Sequence, residues 1–199
     1  MIDDLDRTLA ALLTAELPEA LRPQVEITFM TPDSDFPPAT VQPPAIDLFL
    51  YDVRENRELR TNEWRLQQDG HGAATREAPP ARIDCSYLVT AWATSGASAP
   101  ADEHRLLGEA LRVLLRHPTL PAEHLQGALA GQQPPLVATA LEPLRLQSVG
   151  EFWQALGGRP RAAFSYTVTM SVAAVAPAVT ETLVRERRFR YLADGHQAA

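Results

Sequence analysis

One cysteine, Cys85, is all the thiol the chain has, which excludes an internal disulfide and any cysteine-based zinc site within one chain. Set inside RIDCSYLVTAWA, it reads as a small buried hydrophobe. No stretch approaches the roughly 20 consecutive apolar residues of a membrane-spanning helix. The first residues, MIDDLDRTL, carry acids where a secretory leader carries basic residues, so the expectation is a protein made in the cytoplasm. Positive charge is short as well: 18 Lys and Arg against 25 Asp and Glu leave a formal net charge of -7. That sign is wrong for a protein that coats nucleic acid.

The local signatures of chemistry are missing too. There is no G-x-G-x-x-G after a strand and no G-x-x-x-x-G-K-[ST], so nothing marks a nucleotide site. The glycine-containing DGHGAATR lacks the lysine and helix start of a phosphate cradle and reads as a loop. No G-x-S-x-G elbow exposes a serine. The five histidines, His71, His104, His117, His124 and His196, show no H-E-x-x-H or other ligand spacing. The expectation is therefore no metal, no cofactor and no catalytic residue.

What the chain does have is proline, 17 in 199 residues. Five lie in TPDSDFPPATVQPP, and pairs recur at Pro79-Pro80 and Pro134-Pro135. Proline lacks a backbone donor and restricts the residue before it, so these clusters mark connections between elements. Hydrophobic residues make up 45%, enough for a real core.

Periodicity supplies the elements. IDDLDRTLAALLTAEL places Ile2, Leu5, Leu9, Leu12 and Leu13 on one helical face, with Asp3, Asp4 and Asp6 near the positive end of the dipole and Pro18 beyond its end. VEITFM alternates like a strand. AIDLFLYDV, 45–53, is apolar on both faces and predicts a central strand covered on both sides. RIDCSYLVTAWAT, 82–94, reads the same way. ADEHRLLGEALRVLLRHP is a second helix, with Leu107, Ala110, Leu111 and Leu114 as its stripe and Leu106, Val113 and Leu115 widening it. PAEHLQGALAG suggests a short helical turn, LVATALEPLRLQS a strand interrupted by Pro143, and GEFWQALGG one amphipathic turn closed by glycine. In AAFSYTVTMSVAAV, Phe164, Tyr166, Val168, Met170 and Val172 alternate with Ser165, Thr167, Thr169 and Ser171, predicting a half-buried antiparallel strand with a hydroxyl face. Helices and strands without regular alternation point to a single α+β domain. Its sheet is expected to be largely antiparallel or mixed, packed by the N-terminal helix and the central helix near 100–116.

Paired carboxylates could do acid–base work. Asp47 and Asp52 are five residues apart and so face opposite sides of an extended chain, while Asp84 lies on the second long strand. An acidic site around Asp47, Asp52 and Asp84 is one reading, and carboxylates paired with nearby arginines the other. Surfaces offer more. Arg54, Arg57, Arg60 and Arg65 mix with Glu55, Glu58 and Glu63 beside Trp64. Such a segment is a solvated edge or a protein contact, since Arg and Trp are enriched at interface hot spots. In TLVRERRFRYLADG, Arg185, Arg187, Arg188 and Arg190 interleave with Phe189 and Tyr191, as in an edge strand or a terminal arm that adds to a partner's sheet.

Four blocks then occur in one order: MIDDLDRTLAALLTAELP, IDLFLYDVRENRELR, RIDCSYLVTAWA followed by DEHRLLGEALRVLLRHPTLP, and FWQALGGRPRAAFSYTVTMSV. Together they resemble the N-terminal domain of the tail-terminator, or cap, proteins of extracellular contractile injection systems of the antifeeding-prophage and virulence-cassette type. The resemblance covers about residues 1–177 and leaves 178–199 as a C-terminal arm or tail. It implies a structural protein without cofactor. Such a protein forms a six-fold ring at the baseplate-distal end of the tail, where it contacts the last layers of sheath and inner tube, ends polymerisation and stabilises the extended sheath. The implied partners are other copies, sheath protein and tube protein, with no nucleic acid and no membrane, in a particle that may leave the cell. The alternative in kind is a completion or connector protein of a contractile phage tail. The resemblance brings no matched binding motif, so Arg54, Arg57, Arg60, Trp64 and Arg65, and Arg185 to Tyr191, stand as contact candidates on composition alone.

Overall fold

A computed structural model of the chain describes residues 1–68, 73–94, 96–143, 149–173 and 178–182. They fall into two compact units, residues 1–60 with 81–172 and residues 61–80 with 173–199.

The first unit is built on a five-stranded mixed sheet in the order β1-β2-β5-β7-β6. Its strands are β1 (Glu26–Thr28), β2 (Ala45–Glu55), β5 (Ala81–Trp92), β6 (Val137–Ala140) and β7 (Ala163–Val172). β1 runs parallel to β2, and the other neighbours are antiparallel. The second unit holds β3 (Arg65–Gln68), β4 (Ala73–Glu77) and β8 (Ala178–Thr182), an antiparallel sheet in the order β3-β4-β8. The α+β class and mixed sheet expected from the sequence are thus the observed ones. The segment read as a loop is not wholly one, because its 73–76 part belongs to β4. Thr75 is its only β-branched residue, so strand propensity gave no warning there.

One face of the large sheet is covered by α1 (Ile2–Glu16) and α2 (Ala99–Arg116). Leu5, Leu9, Leu12 and Leu13 of α1 are fully buried against Ile46, Leu48, Tyr87, Val89, Tyr166 and Val168. Each leucine buried in this way contributes about 1.5–3 kcal/mol. On α2 the buried seam is Leu106, Ala110, Val113 and Leu114. Leu107 and Leu111 sit at its margin, and Leu115 is exposed. The seam lies about one position from the expected stripe, because leucines on every side of the helix blur the period. The Tyr87 hydroxyl donates to Asp6 Oδ1 at 2.8 Å and ties α1 to β5.

Asp4, buried in the first turn of α1, accepts the N-terminal ammonium at 2.9 Å and the Ala128 amide at 3.2 Å. The ammonium chiefly holds its carboxyl down at about 2. Gly127 passes so close, at φ 54°, that a Cβ there would lie 2.0 Å from Asp4 Oδ1. Only glycine fits that approach.

The opposite face of the sheet divides into two parts. Towards the start of β2, Phe36 and Val41 from the proline-rich connection pack on Ala45 and Trp92, with the Phe36 and Trp92 rings 4.5 Å apart. Arg161 stacks over Trp92 at 3.7 Å and pairs with Glu103 at 2.8 Å. Helix α3 (Val149–Ala155) places Phe152 beside Phe49 and Tyr51 and buries Trp153. Towards the end of β2 this face is polar and still buried. Arg82 Nη1 donates to Ser171 Oγ at 2.7 Å, Thr169 donates to Asp84 Oδ1 at 2.7 Å, and Ser86 and Thr167 share a hydrogen bond of 3.0 Å. The hydroxyl face of β7 is therefore buried, not solvated as the alternation implied. A period of 2 tells which residues share a face but not what lies over it.

Candidate functional site

The register of β2 decides the carboxylate question. Leu50 pairs with Tyr87 and Asp52 with Ser86, so the register shifts by one residue at Tyr51. This bulge resets the alternation. Asp47 and Asp52 consequently point to the same face, contrary to the simple count of five. They remain apart: their partners Thr90 and Ser86 are four residues distant on β5, about 13 Å along a strand. The three aspartates do not form one acidic site.

Their surroundings differ. Asp47 has no solvent exposure and takes the Met30 amide on Oδ1 at 2.9 Å, and its Oδ2 has no partner among the described residues. Burial pushes its carboxyl up to about 8. Among the described residues it has no arginine partner of the kind the sequence reading allowed. Asp52 has one, in Arg54. Asp84 accepts Thr169 from one side and both Asn56 Nδ2 contacts, at 3.1 and 3.2 Å, from the other.

Asn56 is the residue that sequence reasoning missed. Its backbone N–H donates to Arg82 O at 2.8 Å and extends the β2–β5 ladder by one rung. Its side-chain amide forks onto Asp84, and its Oδ1 accepts the Leu59 amide at 3.1 Å. That last bond, to the amide three residues on, closes the turn as an N-cap side chain does. Thr169, Asp84, Asn56 and Leu59 thus form a chain of hydrogen bonds from the middle of the sheet to the tip of the turn at 56–60. The signal in the sequence was a single Asn after a strand end, which is weak without knowledge of its partner.

The turn displays the charged residues singled out from composition. Arg54, Arg57 and Arg60 are all exposed, and Arg60 lies 3.6 Å from Glu55. Arg54 and Arg57, with Asp52, Glu58 and Asp84, line an open cleft of about 540 Å³. Leu59 stands out from the turn at 50% exposure. The cleft is polar and its floor is hydrogen-bonded, so its chemistry suits contact with polar protein surface more than catalysis. Trp64, in the second unit, is exposed, and Arg65 opens β3, where only the backbone is described. Arg185, Arg187, Arg188, Phe189, Arg190 and Tyr191 lie outside the described residues. Cys85 is fully buried against Met170, and burial pushes its thiol up to about 11.

The fold has known relatives. It matches the sheath and tube terminator of an extracellular contractile injection system, PVC, solved by cryo-electron microscopy in the extended state. The TM-score is 0.72 at 24% identity, over 100% of this chain and 65% of that one. It also matches the tube-terminating cap of the anti-feeding prophage, with a TM-score of 0.67 at 22% identity, over 96% of this chain and 61% of that one. The chain therefore spans less than two thirds of the length of either structure. No curated protein matches its sequence. The model of one family, described as the Pvc16 N-terminal domain, matches residues 4–187 and so spans parts of both units. The chain belongs to the Pvc16 N-terminal domain family.

Proposed function

We propose that the chain is the cap domain of a contractile injection system, seated at the baseplate-distal end of the tail on the last layers of sheath and inner tube. It ends polymerisation there and holds the sheath extended. The observation that carries this reading is the family match over residues 4–187, joined to a fold shared over the whole chain with a sheath and tube terminator. The protein works through its surfaces and is not an enzyme. Copies close into a six-fold ring, residues 1–177 supply its body, and 178–199 form an arm. The particle is assembled in the cytoplasm and then released.

A cap acts as a rigid end piece, and the hydrogen-bonded turn at 56–60 supports that role because a preorganised contact loses less entropy on binding. Negative-stain imaging of particles from a strain lacking this gene tests the reading. The expected result is tails of uncontrolled length or tails without a stably extended sheath. Particles of normal length with extended sheaths overturn it.

A further inference from the structure

The connection between β1 and β2 holds prolines at 32, 37, 38, 43 and 44, none of which can donate to a backbone ladder. Residues 30–41 accordingly contain no strand. The segment leaves β1 after Thr28, lays Phe36 on Trp92 of β5 and Val41 in the same cluster, and returns at Pro44 to begin β2. It thus passes over the start of β2 as a strap. Its far end is pinned, since the Gln42 amide donates to Glu26 Oε2 at 2.7 Å and the Thr94 hydroxyl to Pro43 O at 3.3 Å. Among the described residues, a single hydrogen bond joins residues 30–41 to the sheet, from the Met30 amide to Asp47 Oδ1.

That acceptor lies in a buried row, Thr28, Asp47 and Thr90, across β1, β2 and β5. Trp92 Nε1 donates to Thr90 Oγ1 at 2.9 Å, so the ring that carries Phe36 leans towards the same row. Asp47 Oδ2 has no donor among the described residues. The charged groups around it are few. Glu26 on β1 is engaged by Gln42, and Asp33 and Asp35 are exposed on the strap. Before β7, Arg159 is exposed and Arg161 is held between Trp92 and Glu103 of α2. Glu151 stands on α3, Asp52 lies further along β2, and β5 brings no titratable side chain beside Thr90. Burial and the Met30 amide govern the Asp47 carboxyl, and no charged neighbour among the described residues acts on it.

A carboxylate formed here needs a donor for its second oxygen, and water can supply one only if something moves aside. The strands are laddered to one another and cannot part without breaking the sheet. The strap can part with the loss of one hydrogen bond and the packing of Phe36 and Val41. We propose that residues 30–41 form a strap, hinged at Gln42–Pro44, that lifts from the sheet when Asp47 gives up its proton to solvent, admitting water to the carboxylate and uncovering Trp92. Beside Trp92 stands Arg161, at the edge of a hollow of about 340 Å³ that Ser34 and Phe36 of the strap also line. Tryptophan and arginine together are the residues that anchor protein contacts. The device therefore makes a contact surface more available as pH rises. The closed strap keeps the proton up to about pH 8, whereas an exposed carboxyl loses it near the ordinary 3.8. The open population rises about tenfold per pH unit between these values and levels off above them.

Amide hydrogen exchange of the whole chain from pH 5 to 8 reads that population, once each rate is divided by that of an unstructured peptide at the same pH. The Met30 amide should speed up about tenfold per unit. It should also exchange at least about tenfold faster than Leu48 of β2 throughout, which marks the opening as local. Asp47→Asn still accepts the Met30 amide but cannot ionise, so its Met30 rate should stay level. A level rate in wild type, an equal rise in Asp47→Asn, or equal rates at Met30 and Leu48 each overturn the proposal.

A thiol probe reads the strap without touching Asp47. Val41→Cys puts a cysteine beneath the strap, and the fully buried Cys85 serves as the internal reference for global opening. Alkylation by iodoacetamide, corrected for the reactivity of a free thiol at each pH, should rise at position 41 with the same slope and run ahead of Cys85. Equal corrected rates at the two thiols, or no rise at position 41, overturn the proposal as well.

Discussion

Along β2, the half up to Leu50 and the half from Asp52 share one ladder with β5 but serve opposite ends. The first half is enclosed, with Ala45, Ile46, Asp47 and Leu48 all inaccessible to water. The second half emerges, with Val53, Arg54 and Glu55 exposed. Each half carries one aspartate, and the two fare differently. Asp47 is buried with no counter-ion among the described residues, whereas Asp52 sits near solvent beside Arg54. A carboxyl kept protonated in a core and a carboxylate paired at an edge teach the same rule from two sides: burial, not residue type, decides what a carboxyl group does.

The largest effect that tests this contrast is the pH dependence of Asp47. Its folded-state value, about 8, lies above the ordinary 3.8. The folded protein therefore holds a proton that the unfolded chain releases near pH 4. Stability from this group is complete below pH 4 and is lost as pH rises to about 8. The full shift corresponds to roughly 6 kcal/mol as an order of magnitude. Chemical denaturation from pH 4 to 9 should show this fall in wild type. Asp47→Asn, which still accepts the Met30 amide, should stay level and be the more stable chain at pH 9. An equal fall in both chains would show that Asp47 is not the cause.

The next effect belongs to packing. Leu48→Ala empties a site with no exposure and should cost about 2–5 kcal/mol in the same assay. Asn56→Ala comes below it, at about 1–2 kcal/mol, for the lost bonds to Asp84 and to the Leu59 amide. Its signature is regional. Amide exchange should accelerate at 57–60 and hardly at all at Leu48, and uniform acceleration would mean that the turn is not a separately held unit.

Much of this contrast was legible in the sequence. Runs apolar on both faces located β2 and β5, alternation located β7, and the leucine spacing located α1 and α2, because burial imposes a pattern on the chain. The bulge at Tyr51 was not legible. Nothing in LFLYDVR marks an extra residue, and the bulge exists only relative to β5. It reversed the inferred faces of Asp47 and Asp52. The role of Asn56 was hidden for the same reason, since its partners Arg82 and Asp84 lie 26 and 28 positions away. The arginines of the turn were found by composition, but the exposed Leu59 among them was passed over. A lone leucine in a charged run carries no period.

Leu59 gives the smallest effect on stability and sharpens the comparison most. Half of its surface is already exposed, and its place in the turn is held by its backbone amide rather than its side chain. Truncation to alanine therefore removes few buried contacts, and Leu59→Ala should shift stability by no more than about 0.5 kcal/mol. On β2, by contrast, removing the same atoms at Leu48 should cost several times as much. If Leu59→Ala proves as damaging as Leu48→Ala, the turn is part of the core and the two halves of the strand are not distinct. If stability holds while association weakens, the side chain belongs to an interface. An exposed leucine that is indifferent to folding and needed for contact is what separates a displayed edge from a solvated one.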